Sequence, residues 1–180
     1  RVAPLVVLSG LAVVVGAGFP SQDVWRFDVA TGEPLWQTPK GAIPALVYST
    51  AAVAGSRIVI GMNGGRFQSF DLATGLPSWK LDASGPVYLS SPLVVGGSVY
   101  AFPGDPGVNV YGADAATGAP LAGFPVAIPD LAPVAGTTPF DQGPAVSSPM
   151  AVGGVIIVQV RRQDMMPAGR TYTVFMRESV

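Results

Sequence analysis

The sequence has 180 residues, of which 49% are apolar and 12% charged, and its formal net charge is −1. It contains no cysteine and no histidine, which excludes disulfides, thiol nucleophiles, Cys/His zinc sites and Ser-His catalytic pairs. Ten basic residues balanced by eleven acidic ones leave no electrostatic footprint for nucleic acid or for an anionic membrane. The 23 glycines and 18 prolines, together with many apolar residues, predict one domain of short strands and tight turns.

The first predicted elements lie in an apolar N-terminal segment. No charged residue occurs between Arg1 and Asp23, and residues 2–18 are mostly apolar, so a signal peptide or a membrane span must be considered. Pro4 and several glycines interrupt the segment, which is also short for a membrane span. We favour residues 2–18 as the first strand pair of a repeat and keep a signal remnant as the alternative.

A repeat organises the rest of the chain. The string Asp-x-Ala-Thr-Gly begins at Asp28, Asp71 and Asp114, at a constant spacing of 43 residues. Before each copy lie an apolar strand, a turn of small residues and a second apolar strand, and a fourth copy of this hairpin follows at 148–160. A third strand enters each turn, and a fourth leaves it towards 35–36, 78–79 or 121–124. Four strands in each unit of 40 to 45 residues predict an all-β fold, the β-propeller built from four-stranded antiparallel blades.

The repeat divides the chain into about four blade units of a single propeller. Their approximate bounds are 3–39, 48–82, 90–127 and 147–180, and a proline-rich inter-blade loop at 120–147 separates the last two. Because the fourth unit ends in what should be its third strand, we expect these units to be part of a larger propeller, with a separate ring of four blades as the alternative.

The turn residues have a structural explanation. An Asp carboxylate and a Thr hydroxyl can accept backbone N–H groups around the bend, and glycine can take the left-handed conformation that such a hairpin needs. We therefore predict structural roles, with no catalysis, for the nine turn residues Asp28, Thr31, Gly32, Asp71, Thr74, Gly75, Asp114, Thr117 and Gly118.

The strings Val24-Trp-Arg-Phe-Asp-Val-Ala-Thr-Gly-Glu-Pro-Leu-Trp36 and Phe67-Gln-Ser-Phe-Asp-Leu-Ala-Thr-Gly-Leu-Pro-Ser-Trp79 resemble the blade repeat of the pyrroloquinoline-quinone-like (quinoprotein-like) β-propellers. The resemblance implies that Trp36 and Trp79 dock against the neighbouring blade. Three positions depart from the pattern. Arg26 stands where the family favours a small residue, Ala122 replaces the third tryptophan with Phe124 two residues later, and residues 176–180 stand where a fourth turn belongs.

Catalytic chemistry is not visible in the sequence. The quinone-dependent dehydrogenases with this repeat would be expected to have a vicinal cysteine pair, a catalytic Asp and a calcium site, and no matching motif is present. The isolated acids Asp105, Asp130 and Asp141 lie in loops without a calcium-binding spacing. We predict no catalytic, cofactor-binding or metal-binding residue in this chain.

Two functional hypotheses follow. The first is a non-catalytic scaffold or protein-binding module of a bacterial cell-envelope or extracellular assembly, located outside the cytoplasm, with protein partners and no nucleic acid or membrane span. The alternative is a fragment of a quinone-dependent dehydrogenase-like enzyme. Its pyrroloquinoline quinone or calcium would then bind in a part of the propeller outside these residues.

Overall fold

The computed structural model of the protein describes residues 5–8, 12–16, 23–47, 49–83, 90–103, 109–128, 145–146, 148–161 and 171–177. Within these residues the strands form four antiparallel four-stranded sheets, which we call blades 1 to 4 in chain order. No helix in this part of the chain is long and apolar enough to cross a membrane. The predicted all-β fold of four-stranded blades is confirmed.

The sixteen strands of the described residues divide evenly among the blades. Blade 1 contains β1 (Leu5–Leu8), β2 (Ala12–Gly16), β3 (Val24–Asp28) and β4 (Pro34–Gln37). Blade 2 contains β5 (Ala52–Ala54), β6 (Arg57–Met62), β7 (Arg66–Asp71) and β8 (Pro77–Asp82). Blade 3 contains β9 (Leu93–Val95), β10 (Ser98–Ala101), β11 (Asn109–Asp114) and β12 (Val126–Ala127). Blade 4 contains β13 (Ala145–Val146), β14 (Met150–Val152), β15 (Val155–Arg161) and β16 (Thr171–Arg177).

Blades 1 to 3 are meanders in which each strand pairs with the next one in sequence. The apolar N-terminal segment supplies β1 and β2, which pair with each other and, through β2, with β3. The tight turns depend on glycine. Between β9 and β10, for example, Gly96 and Gly97 have φ angles of +56° and +83°, in the left-handed region that other residues rarely adopt.

The strands β5, β9 and β14 of successive blades lie next to one another. β5 contacts β9, and β9 contacts β14. Hydrogen bonds connect the residues just before these strands: the N–H of Thr50 donates to Oγ of Ser91 at 2.9 Å, and the N–H of Ser91 donates to Oγ of Ser148 at 3.3 Å. The strands β5, β9 and β14 therefore occupy the inner position of blades 2 to 4, as the propeller architecture requires.

The hydrophobic core lies between the blades. In β6, Ile58 and Ile60 are buried against blade 1, whereas Val59 between them is buried against blade 3. This alternation follows from the two-residue period of a strand, which sends successive side chains to opposite faces. Blades 3 and 4 share a further cluster that includes Tyr100 and Ile156. Each described interface thus has its own core, built from two blades.

Blade 3 departs from the prediction at its last strand. The predicted strand at Leu121–Phe124 is wrong, because these residues form a turn in which the N–H of Phe124 donates to the carbonyl of Leu121 at 3.1 Å. Gly123 has a φ of +83° and reverses the chain there. The outer strand forms later, where β12 pairs with Asn109 and Val110.

Blade 4 has an interrupted inner edge. β13 and β14 pair with successive parts of β15, while β16 pairs with β15 along its whole length. Because a strand has two edges, β13 and β14 must share one of them. Within the predicted loop at 120–147 the structure has β12, which also falls in the predicted third unit of 90–127, and β13. Met176 and Arg177 belong to β16, and residues 178–180 of the expected turn lie outside the described residues.

Candidate functional site

The Asp-x-Ala-Thr-Gly turns join the third strand to the fourth in blades 1 to 3. In blade 2, Oδ1 of Asp71 accepts the N–H groups of Ala73 and Thr74 at 3.1 and 2.9 Å and the hydroxyl of Thr74 at 2.9 Å. The N–H of Gly75 donates to the carbonyl of Asp71 at 2.8 Å. The N–H of Asp71 donates to the carbonyl of Leu76 at 2.9 Å. Asp71 thus forms hydrogen bonds that stabilise the turn along its whole length.

The other two turns have a similar construction. Oδ1 of Asp114 accepts two N–H groups at 3.1 and 2.8 Å and the hydroxyl of Thr117 at 2.7 Å. Oδ1 of Asp28 accepts the N–H groups of Ala30 and Thr31 at 2.8 and 3.0 Å. The φ angles of Gly32, Gly75 and Gly118 are +73°, +72° and +75°. The three copies of the sequence repeat therefore have closely similar turn conformations.

These hydrogen bonds hold the pKa of each turn aspartate below its ordinary value. For Asp71 and Asp114 the largest cause is the hydroxyl of the threonine three residues later, followed by that threonine's N–H. For Asp28 the largest cause is the N–H of Thr31. A carboxylate that is stabilised in its charged form and bonded to its own turn is a weak proton acceptor. This arrangement fits the structural role that the sequence predicts.

The structure brings Trp36 of blade 1 onto the turn of blade 2. Its indole N–H donates to the carbonyl of Leu72 at 3.0 Å. Its ring covers Gly75: an ideal Cβ on Gly75 would lie 2.5 Å from Cε3 of Trp36. Only a residue without a side chain fits under the ring, so this glycine is needed for the close approach as well as for its positive φ.

Trp79 of blade 2 occupies the same position on the turn of blade 3. Its indole N–H donates to the carbonyl of Ala115 at 3.0 Å, and an ideal Cβ on Gly118 would lie 2.6 Å from Cδ2 of the ring. Both tryptophans bond a carbonyl 36 residues further along the chain. Trp36 and Trp79 are therefore neighbours of two of the three predicted turn glycines, Gly75 and Gly118, across blade boundaries.

Arg26 contacts the neighbouring blade. In the sequence it stands out only as a departure from the small residue that the family favours. Its Nη1 donates to the carbonyl of Leu72 at 2.7 Å, so Arg26 and Trp36 share one acceptor on the neighbouring blade. The equivalent residues in the other units are Ser69, whose buried Oγ has no hydrogen-bond partner among the described residues, and Gly112, which has no side chain. The large residue at a position that favours a small one was the only sequence signal of this contact. The contact itself could not be inferred without the position of blade 2.

The third unit uses a different contact. Phe124 lies against Gly112 of its own blade, where an ideal Cβ would come within 3.0 Å of the ring. Its ring centroid is 5.8 Å from that of Tyr100 at an interplanar angle of 58°, a geometry typical of aromatic pairs. Both aromatic residues join the cluster between blades 3 and 4. Blade 3 therefore has no tryptophan at position 122. In the blade that follows, β16 continues through Met176, where the turn motif was expected.

The described residues contain no group of three acidic side chains placed to hold a metal ion. The sequence also lacks the cysteines that the dehydrogenase resemblance would imply. Asp105, Asp130 and Asp141, which we considered as isolated calcium ligands, lie outside the described residues.

Several solved structures share this fold. BamB from Moraxella catarrhalis superposes with a TM-score of 0.66 at 21% identity, over 91% of this chain and 49% of that chain. The computationally designed Ika4 protein gives 0.65 at 17% identity, over 98% and 91%. Quinohemoprotein alcohol dehydrogenase ADHIIG from Pseudomonas putida HK5 gives 0.62 at 20% identity, over 87% and 28%. The chain thus spans about half of that BamB and less than a third of the dehydrogenase.

None of the curated proteins matches the chain. A family model described as "Outer membrane protein assembly factor BamB" matches residues 6–121, which is more than half of the sequence and contains the three Asp-x-Ala-Thr-Gly turns. The BamB and dehydrogenase folds agree with the blade repeat that these turns define. The chain therefore belongs to the BamB-type family of pyrroloquinoline-quinone-like repeat β-propellers.

Proposed function

We propose that the chain is part of a non-catalytic propeller that acts as a protein-binding scaffold in the assembly of bacterial outer-membrane proteins, outside the cytoplasm. The observation that carries this proposal is the match of residues 6–121 to a family whose description names outer-membrane protein assembly. The regular turn network supports it, because the fastened turns and blade interfaces provide a rigid support for a contact surface.

The outer strands provide the candidate contact surface. Leu35 in β4 and Leu76 directly before β8 are both exposed, and they lie in blades 1 and 2 near the docked turns. Exposed leucines on a rigid edge are suited to bind a protein partner, since binding removes their apolar surface from water. We name these two residues the rim leucines and propose that they contact the partner.

Crosslinking in the native cell tests this proposal. A photoreactive residue at Leu35 or Leu76 in the whole protein should crosslink to a component of outer-membrane protein assembly. A photoreactive residue at Glu33, which is exposed but polar, serves as the matched position in blade 1. A second test replaces both rim leucines with serine, which should leave the melting temperature unchanged while abolishing recovery of the partner. If the whole protein is recovered as a monomer and all three positions give no adduct, the scaffold function is wrong.

The dehydrogenase fold similarity keeps an enzyme as the second candidate. In that case the blades described above would support a quinone site made by other parts of the whole protein. Addition of pyrroloquinoline quinone and calcium to the whole protein should then raise its melting temperature and give dye-linked alcohol oxidation. The scaffold proposal predicts neither effect.

A further inference from the structure

The hairpin between β6 and β7 of blade 2 contains one of the two asparagines of the sequence, and a glycine follows it directly. β6 ends at Met62 and β7 begins at Arg66, so Asn63, Gly64 and Gly65 form the connection. Gly64 is exposed and has a φ of +114°. The N–H of Gly65 donates to the carbonyl of Met62 at 3.3 Å and closes the turn. The pair Asn63–Gly64 therefore lies in a tight turn at the surface.

The two groups of this pair that could react with each other have no other partner in the described part of the chain. The N–H of Gly64 and the side-chain amide of Asn63 form no hydrogen bond with the described residues. Of the described atoms outside its chain neighbours, only Cβ of Ala45 lies within 4 Å of an ideal Cβ on Gly64, at 3.9 Å. Because glycine has no side chain, its nitrogen is open to the side-chain carbonyl carbon of the preceding asparagine.

Asn109, the other asparagine, has a different environment. It lies in β11, where it pairs with Ala127, and the next residue, Val110, is buried and pairs with Val126. The β-branched side chain of Val110 crowds the nitrogen that would have to react. The strand pairing must also open locally before the main chain can bend into a ring. The chain therefore contains a protected asparagine with which Asn63 can be compared.

We propose that Asn63–Gly64 is a site of spontaneous covalent modification, at which the folded protein converts Asn63 into aspartate and isoaspartate. The main-chain nitrogen of Gly64 forms a bond to Cγ of Asn63, while the bond from Cγ to the amide nitrogen breaks. That nitrogen leaves as ammonia, together with the proton from the Gly64 N–H. Water then opens the cyclic imide. Attack of water at Cγ gives aspartate, whereas attack at the main-chain carbonyl carbon gives isoaspartate. This proposal does not rest on the protein-binding function.

The modification would act where the connection from blade 1 meets the hairpin. The N–H of Asn63 donates to the carbonyl of Leu46 at 2.7 Å, and Val47 pairs with Met62 in an isolated bridge. Val47 is buried in the core cluster between blades 1 and 2. Isoaspartate lengthens the main chain by one carbon atom before Gly64 and adds a carboxylate. The hairpin would then no longer match the connection that packs on it.

Incubation of the whole folded protein at neutral pH tests this proposal. Samples are digested with trypsin below neutral pH, where ring closure is slow, and the tryptic peptide 58–66 contains Asn63 as its only asparagine. A chymotryptic digest reports on Asn109. We expect the mass change from amide to acid to appear at Asn63 at least on the order of tenfold faster than at Asn109, because Asn109 reacts only after local opening. Equal rates, or no conversion of Asn63, would overturn the proposal.

Detection of isoaspartate identifies the reaction itself. A protein isoaspartyl methyltransferase should methylate the aged wild type, and it should methylate aged Asn63→Gln much less, since glutamine forms the corresponding ring more slowly. Only the main-chain N–H of Asn63 takes part in the described contacts, so Asn63→Gln should keep the wild-type melting temperature. Equal methylation of the two aged proteins would place the isoaspartate elsewhere and overturn the proposal. Replacement of the rim leucines should not change these results, so they are independent of partner binding.

Discussion

The indole N–H of Trp79 donates to the carbonyl oxygen of Ala115 across the boundary between blades 2 and 3, at 3.0 Å. The side chain is 9% exposed and belongs to the core cluster that contains Val59 and Val99. Trp79 therefore contributes to the interface in two ways. Its N–H bonds the turn of the next blade, and its large side chain is buried. Trp36 repeats the arrangement one blade earlier.

Removal of the Trp79 ring should weaken the interface between blades 2 and 3. We expect Trp79→Ala to lower the free energy of unfolding by about 3–5 kcal/mol, because the ring leaves a cavity and its hydrogen bond is lost. Urea unfolding of the whole protein measures this change. Trp79→Phe keeps part of the ring and loses the N–H, so it should cost less. An unchanged urea midpoint for Trp79→Ala would contradict the docking role.

Replacement of Gly118 should reveal the close approach of the ring. A Cβ at this position would lie 2.6 Å from the Trp79 ring, and the φ of +75° adds backbone strain. Gly55→Ala is the control, since Gly55 has a φ of +57° and no described neighbour within 4 Å of its Cβ position. We expect Gly55→Ala to cost about 1–2 kcal/mol from strain alone, and Gly118→Ala to cost about 1–3 kcal/mol more from overpacking. Equal losses in thermal unfolding would show that the ring moves aside freely.

The threonine hydroxyls should control the acidity of two turns. Thr117→Val removes the largest cause of the lowered pKa of Asp114, so this pKa should rise towards its ordinary value. Thr31→Val should change the pKa of Asp28 less, since the Thr31 side chain is the smallest cause there. Carboxyl NMR titration measures both values. Similar shifts at the two sites would contradict the different roles of the hydroxyls.

The sign of the pH dependence follows from the same shifts. Because the folded-state pKa of Asp114 lies below its unfolded value, the turn adds stability above about pH 4. This contribution is lost as the pH falls through the folded-state pKa. Thermal unfolding between pH 7 and acidic pH should therefore show a smaller acid-dependent loss for Thr117→Val than for the wild type.

Ser49 should stabilise the connection between blades 1 and 2. Its buried Oγ donates to the carbonyl of Gly61 at 3.0 Å and accepts the N–H of Gly61 at 2.8 Å. Ser49→Ala leaves both backbone groups without this partner and should cost about 1–3 kcal/mol. Ser56→Ala, at an exposed hairpin turn, should change stability by about 0.5 kcal/mol or less. Denaturant unfolding that gives equal values for the two variants would contradict this role.

The sequence predicted the features that depend on local chemistry. The spacing of Asp28, Asp71 and Asp114 indicated the blade period, since a turn with such residues has few alternatives. The shared acceptor of Arg26 and Trp36 was not predictable, because Leu72 comes close only after two blades have packed. In blade 3, alignment with the other repeats placed a strand at Leu121–Phe124, whereas the local signal of Gly123 favoured a turn. β13 is too short for its apolar pattern to indicate a strand.

The position of the core between blades has a consequence for how such a chain folds and grows. A single blade buries neither of its faces, so the smallest cooperative unit is a pair of blades, and each added repeat contributes one more nearest-neighbour interface. Insertion of a complete 43-residue unit would add the four strands of one blade. Each face of that blade would form a core with the neighbouring blade. Duplication of a segment whose length is not a multiple of 43 residues would leave the tryptophan of one repeat out of phase with the glycine of the next.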